Sequence, residues 1–185
     1  LSIASFSSLS FIFISLHLPT KTAILLYLCH ITPSLIKAFF YKEPIEFMSF
    51  ERVIYHLRNP HESFVESLKQ SILSSLNAFI FILGYMLVFQ FVGYSLHFFI
   101  QDPFLLGIIQ GILEFSSGSI QLLKHQSFFV YPFICFFLSF SGISVLMQVD
   151  NILENIPYSF STYFKDRCIH GLCSFLLCWI ILYFF

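Results

Sequence analysis

Two short clusters in this chain combine the residue types that can hold a polar ligand. The first is Leu113-Glu114-Phe115-Ser116-Ser117-Gly118, a carboxylate followed at once by two hydroxyls and a glycine inside an otherwise apolar stretch. An ionisable group at membrane depth costs several kcal/mol and marks a solute or ion path when it is retained. A chain break here would also free backbone N–H and C=O groups beside the carboxylate. The second cluster is Ser139-Phe140-Ser141-Gly142, with Ser144 and Gln148 following. Together Glu114, Ser116, Ser117, Gly118, Ser141, Gly142, Ser144 and Gln148 form the candidate substrate-binding set, fit for a small polar solute or a cation. The structural alternative is that Glu114 caps the half-helix that follows it, or bonds as an acid to Ser141 or Ser144. For Ser139 and Ser141 close helix packing accounts for small residues equally well. Gln121 and Gln148 read as hydrogen-bond partners across the two segments.

Other chemistry is thin. His30 is the one ionisable group in the middle of its apolar run, and helix packing explains it more simply than a proton relay. Asp150 and Glu154 lie one turn apart and could pair with Lys165 or Arg167. Cys168, His170 and Cys173 offer metal ligands, but no fourth ligand follows at finger-like spacing. No metal, cofactor or catalytic residue is therefore expected. Nucleotide loops, nucleophile elbows and zinc-protease motifs are absent from the sequence, so no enzyme is expected either. The five cysteines sit in or beside apolar runs and read as reduced, buried thiols.

These clusters need elements to hold them, and composition decides their kind. The 185 residues are 57% hydrophobic and 10% charged, where soluble domains carry roughly 25% charge. Such a chain lacks the polar surface a soluble domain requires. A net charge of −1 also excludes a nucleic-acid binder, which needs a basic face. Its expected partners are the lipid bilayer and a small polar solute or cation, and the pattern leaves a homo-oligomer open. The 27 Phe follow from coding bias wherever any apolar residue will serve.

A spanning helix needs about 20 mostly apolar residues. Residues 1–18 and 22–40 supply two spans, with a turn between them and Pro33 as a kink. Because the chain starts on Leu1 without a basic leader, it reads as part of a longer protein. Residues 41–69 are polar and, with Lys37, hold more than half of the nine basic residues, which makes this loop cytoplasmic. Phe47, Phe50, Ile54 and Leu57 recur in it at helical spacing, as in a helix lying on the interface. Asn59-Pro60-His61-Glu62 reads as a helix start, leading into a long span that carries no charge from 71 to 100. Residues 103–123 and 127–149 are each interrupted near the middle by Ser and Gly, the pattern of discontinuous helices that build midplane sites. The last span is 168–185. If 103–123 crosses fully, Lys165 and Arg167 fall outside; if it is a re-entrant hairpin they fall inside, which the charge count favours by one residue. The expected fold is an all-α polytopic transmembrane helix bundle with discontinuous, broken or re-entrant, helices and about six hydrophobic segments.

The Leu113–Gly118 motif, then Phe140-Ser-Gly-Ile-Ser-Val145, Gln148-Val149 and the basic stretch 163–167 before a last span resemble the second half of YlbJ-type sporulation integral membrane proteins. These belong to the nucleoside-recognition, or Gate, domain family. The resemblance runs in order through residues 62–185, which would then form a Gate-like membrane domain behind the spans of 1–40 and the loop 41–69. Ser141-Gly142 stands where the family carries Gly-Gly, and Leu146 where it often carries a histidine. The resemblance implies a bacterial cell-membrane protein of endospore formers, required for spore maturation and cortex formation and moving a small solute. The alternative is a non-transporting scaffold that organises spore-envelope assembly through the 41–69 loop.

Overall fold

The computed structural model describes residues 11–40, 63–153 and 158–184, and every regular element among them is helical. The interfacial helix expected at Phe47–Leu57 and the Asn59 cap lie outside the described residues. A π-helical turn at Phe11–Ser15 leads into α1, Thr20–Phe40. This helix runs on through Pro33, and its buried positions Ala23, Leu26, His30 and Ser34 fall three or four apart, on one face.

Helix α2, Phe64–Ser95, begins at Ser63, whose hydroxyl accepts from the Glu66 amide at 3.3 Å. Glu66 in the first turn favours the positive end of the helix dipole. At 32 residues α2 is about 48 Å long, well beyond the roughly 30 Å of a hydrocarbon core. Its serines solve the problem of a hydroxyl in an apolar helix by turning back on the chain. Ser71, Ser75 and Ser95 each donate to the carbonyl four residues earlier. Only Gly93 of this helix is buried. A short 3₁₀ turn, Leu96–Phe98, ends it.

Helix α3, Pro103–Leu113, is capped by Asp102, which accepts from the amides of Phe104 and Leu105 at 2.8 and 3.0 Å. Proline at the first position loses no hydrogen bond there. Glu114 is extended, with φ −143° and ψ 114°, and α4, Phe115–Leu122, follows at once. The chain doubles back at this residue. Gly107 faces Leu122, and Gly118 faces Gly111, so close that a β-carbon on Gly118 would lie 2.1 Å from the Gly111 α-carbon. Glycine lets the two backbones touch, as small residues do between membrane helices.

Helices α5, Val130–Phe140, and α6, Gly142–Ile152, are separated by Ser141 in the left-handed region, φ 74°, with Gly142 at φ 78°. Helix α5 is the centre of the molecule and is buried along most of its length, packed on α1, α4 and α7. The ring of Phe137 fills the space that the missing side chain of Gly111 leaves open. Helix α7, Phe160–Phe184, buries Tyr163, Arg167, His170, Ser174 and Cys178 on one stripe.

Among the described residues, four helical stretches are long and apolar enough to cross a bilayer: Thr20–Phe40, Phe64–Phe98, Val130–Ile152 and Phe160–Phe184. Six hydrophobic segments were expected; one of them, 103–123, does not qualify, and 1–18 lies partly outside the described residues. Residues 1–18 are described only from Phe11 onwards, as a single turn. The 103–123 segment is split into arms of 11 and 8 residues, about 16 and 12 Å long, too short to span.

The glycine contacts predict a contrast. Gly118→Ala must push two backbones apart and is expected to cost about 2–3 kcal/mol. Gly84→Ala meets nothing within 4 Å and gains helix propensity, so it should be neutral or stabilising by up to about 1 kcal/mol. Thermal unfolding of the purified protein in detergent measures both.

Candidate functional site

Glu114 is buried, with only 2% of its surface exposed, and its carboxylate is met by local donors. One oxygen accepts from the Ser116 amide at 3.1 Å. The other accepts from the Ser116 hydroxyl at 2.6 Å and the Ser117 amide at 2.8 Å. The Ser117 hydroxyl donates to the Glu114 carbonyl at 3.1 Å. Glu114 is therefore the cap of α4, and the donors a helix start leaves unpaired converge on it. The two interruptions meet here. A β-carbon on Gly142 would lie 3.0 Å from the Phe115 nitrogen, 3.2 Å from the Leu113 oxygen and 3.3 Å from the Glu114 α-carbon. The backbone after the α5–α6 break thus rests directly on the α3–α4 turn.

Ser116 and Ser117 line a cavity of about 500 Å³ shared with Gln90, Tyr94, Gln121 and Lys124, between the end of α2 and the α3–α4 hairpin. This is a strongly polar surface for so apolar a chain. Gln110, also on its wall, donates to the Gly93 carbonyl at 3.0 Å, and Lys124 donates to Gln121 at 2.9 Å. Gln90 and Gln110 escaped the sequence reading because single amides in long apolar runs carry no spacing signal.

The side chains of the second cluster turn elsewhere. Ser141 accepts from the Arg167 guanidinium at 2.7 Å. Ser144 accepts from the Gln148 amide at 3.1 Å, and that amide also reaches the Ile82 carbonyl at 3.5 Å. Gln121 and Gln148 were expected to bond across the two segments; instead Gln121 bonds Lys124 just past the end of its helix, and Gln148 bonds Ser144 on its own helix and Ile82 on α2. Nor does Asp150 pair with Lys165 or Arg167. It accepts from the Tyr158 hydroxyl, which burial and this carboxylate push up to about 12, so the phenol remains a donor through the physiological range. Lys37 takes Asp166 instead, at 2.9 Å.

A second polar grouping joins α1, α5 and α7. The His30 ring bonds through Nδ1 to the Ser139 hydroxyl at 2.8 Å, and Ser139 donates to Ser174 at 2.7 Å. The Nε2 of His170 donates to the His30 carbonyl at 2.9 Å and lies 3.1 Å from the Ser34 hydroxyl. The two imidazoles stack with centroids 5.5 Å apart. Through Ser139, His30 ties α1 to α5. The stripe Tyr163, Arg167, His170, Ser174 and Cys178 was legible at helical spacing, but its partners are more than a hundred residues away for His30 and Ser34. His170 is held in this network, apart from Cys168 and Cys173 as metal ligands. The grouping with metal-ligand geometry among the described residues is a different one, Cys29, Cys135 and Cys178.

Fold and site together define a class: among the described residues, an all-helical protein with four helical stretches fit to cross a membrane and two helix interruptions in backbone contact. Comparison with protein-family models, curated proteins and solved structures found no match.

Removing Ser139 tests the buried network. Ser139→Ala removes the hydroxyl that bonds both His30 and Ser174 and is expected to cost about 1–3 kcal/mol. Combined with His30→Leu the loss should fall short of the sum of the single losses by about 1 kcal/mol, as a double-mutant cycle in detergent would measure.

Proposed function

We propose that this chain is a multi-pass bacterial cell-membrane protein of the Gate type that moves a small polar solute or cation where the 103–122 hairpin meets the Ser141–Gly142 break. The observation that carries this reading is the contact of Gly142 with the Glu114 turn. Interrupted backbone at membrane depth is tolerated where it is buried in protein or lines a wet cavity. Both conditions are supported: Glu114 is buried, and the adjoining Ser116 and Ser117 face a polar cavity.

In this reading α3 and α4 form a re-entrant hairpin. The Lys37–Asp166 ion pair supports it, because it holds the end of α1 level with the start of α7. An even number of crossings must then separate residues 37 and 166. Helix α2 supplies one and the α5–α6 pair a second, so the hairpin enters and leaves on one side. The basic residues around 37–69 make the shared end cytoplasmic, and Lys165 and Arg167 belong to that end.

Each candidate residue then has a part. Glu114 holds the hairpin tip, Gly118 lets its arms close, and Ser116 and Ser117 offer hydroxyls to the solute. Gly142 gives a contact free of interlocking side chains, across which the hairpin can shift, while Ser141, Ser144 and Gln148 stiffen the opposing wall. The resemblance to YlbJ-type proteins adds a place for this activity, in spore maturation.

Glu114→Gln keeps one acceptor oxygen of the cap and turns the other into a donor facing donors. In the bacterium that encodes the chain, this variant is expected to lower the yield of mature, heat-resistant spores at least about tenfold while accumulating normally in membranes. Full complementation by Glu114→Gln would contradict the proposal.

A further inference from the structure

Cys29, Cys135 and Cys178 come from three different helices, α1, α5 and α7, and their sulfurs all lie within 4.8 Å of one another. All three are fully buried, in a core that contains Leu26, Ile134 and Leu138. From this geometry we infer that the trio is a binding site for a soft monovalent metal ion, Cu(I), held by three sulfurs in a trigonal arrangement.

Ligand type and ligand number point the same way. Sulfur ligands select soft ions, and carboxylate, which would favour harder ones, is absent from the grouping. A sulfur triangle around an ion at roughly 2.3 Å has edges of about 4 Å, so the trio needs to contract by less than about 1 Å. Zn(II) prefers a fourth ligand in a structural site, and the described grouping supplies three. Each sulfur binds as thiolate and gives up its proton on binding.

Among the described residues, the fully buried trio lines no cavity itself, and the nearest candidate for an approach is on its own helices. A cavity of about 460 Å³ lies between α1 and α7, the helices that carry Cys29 and Cys178. Pro33, one turn from Cys29, and Leu177, next to Cys178, are on its wall, as is Cys173. Cys173 is exposed and can receive an ion before it passes inward. As a thiol, Cys135 donates to the Leu26 carbonyl, so its proton must leave when the sulfur binds as thiolate.

The test uses the full chain purified in detergent, without oxygen, titrated with Cu(I) from a bicinchoninate buffer and read by X-ray absorption at the copper edge. The expected result is one Cu(I) per chain with three sulfur neighbours. Cys29→Ser, Cys135→Ser and Cys178→Ser should each weaken binding at least about tenfold, while Cys168→Ser with Cys173→Ser leaves the three-sulfur spectrum unchanged. Two sulfurs or fewer, nitrogen or oxygen neighbours, or a site lost with Cys173 alone would overturn the inference. So would a site that takes Zn(II) and not Cu(I). Where a serine variant fails to fold, the wild-type spectrum decides, because the other two cysteines cannot supply three sulfurs. The spore phenotype of Glu114→Gln is independent of this outcome.

Discussion

The structure depends on how the backbone freed at Glu114 is satisfied without water. A helix that stops and restarts leaves amides and carbonyls that a hydrocarbon environment cannot pair. Here the residue at the break supplies the acceptor itself: the Glu114 carboxylate collects two amides and a hydroxyl of the next turn. The glycines do the rest. Gly107 and Gly118 let the two arms touch, Gly111 admits the Phe137 ring of α5, and Gly142 lets the next break settle on the turn. A side chain at Gly118 or Gly142 would separate backbones whose contact defines the junction.

Two kinds of packing surround this junction. On one side Ser116 and Ser117 open to a polar cavity against the end of α2. On the other, α5 is locked between α1 and α7 by His30, Ser139, Ser174 and His170, a chain of hydrogen bonds inside an apolar core. Such a network fixes the register of three helices, since a slip of one position would strand each of its polar groups. Arg167 belongs to the same stripe and reaches across to Ser141. The triad of helices and the hairpin are thus joined through the Ser141–Gly142 break.

Composition was enough to read the helical class and the bilayer, because scarcity of charge is a property of the whole chain. The interruption at Glu114 was legible too, since a carboxylate before two serines and a glycine stands out in an apolar run. The direction of the side chains was not. Whether Ser141 faces the hairpin or α7 turns on its left-handed φ of 74°, which nothing in Ser-Phe-Ser-Gly specifies. Gln121 and Gln148 were given the wrong partners for a similar reason: each takes a residue one turn away, and Gln148 reaches α2 rather than the 103–123 segment. The pairing of His30 with Ser139 and the meeting of three cysteines join distant positions, and spacing within one segment carries no trace of them.

The central claim is that the 103–122 segment enters and leaves the membrane on one side. Gln101→Cys and Gln126→Cys, introduced singly and labelled on intact cells with an impermeant maleimide against the unsubstituted background, test it most directly. The account predicts that both positions label from the outside, while a cysteine in the 41–69 loop labels only after the membrane is opened. Labelling of Gln101→Cys from outside and of Gln126→Cys only from inside would mean that the segment crosses, and would contradict the account.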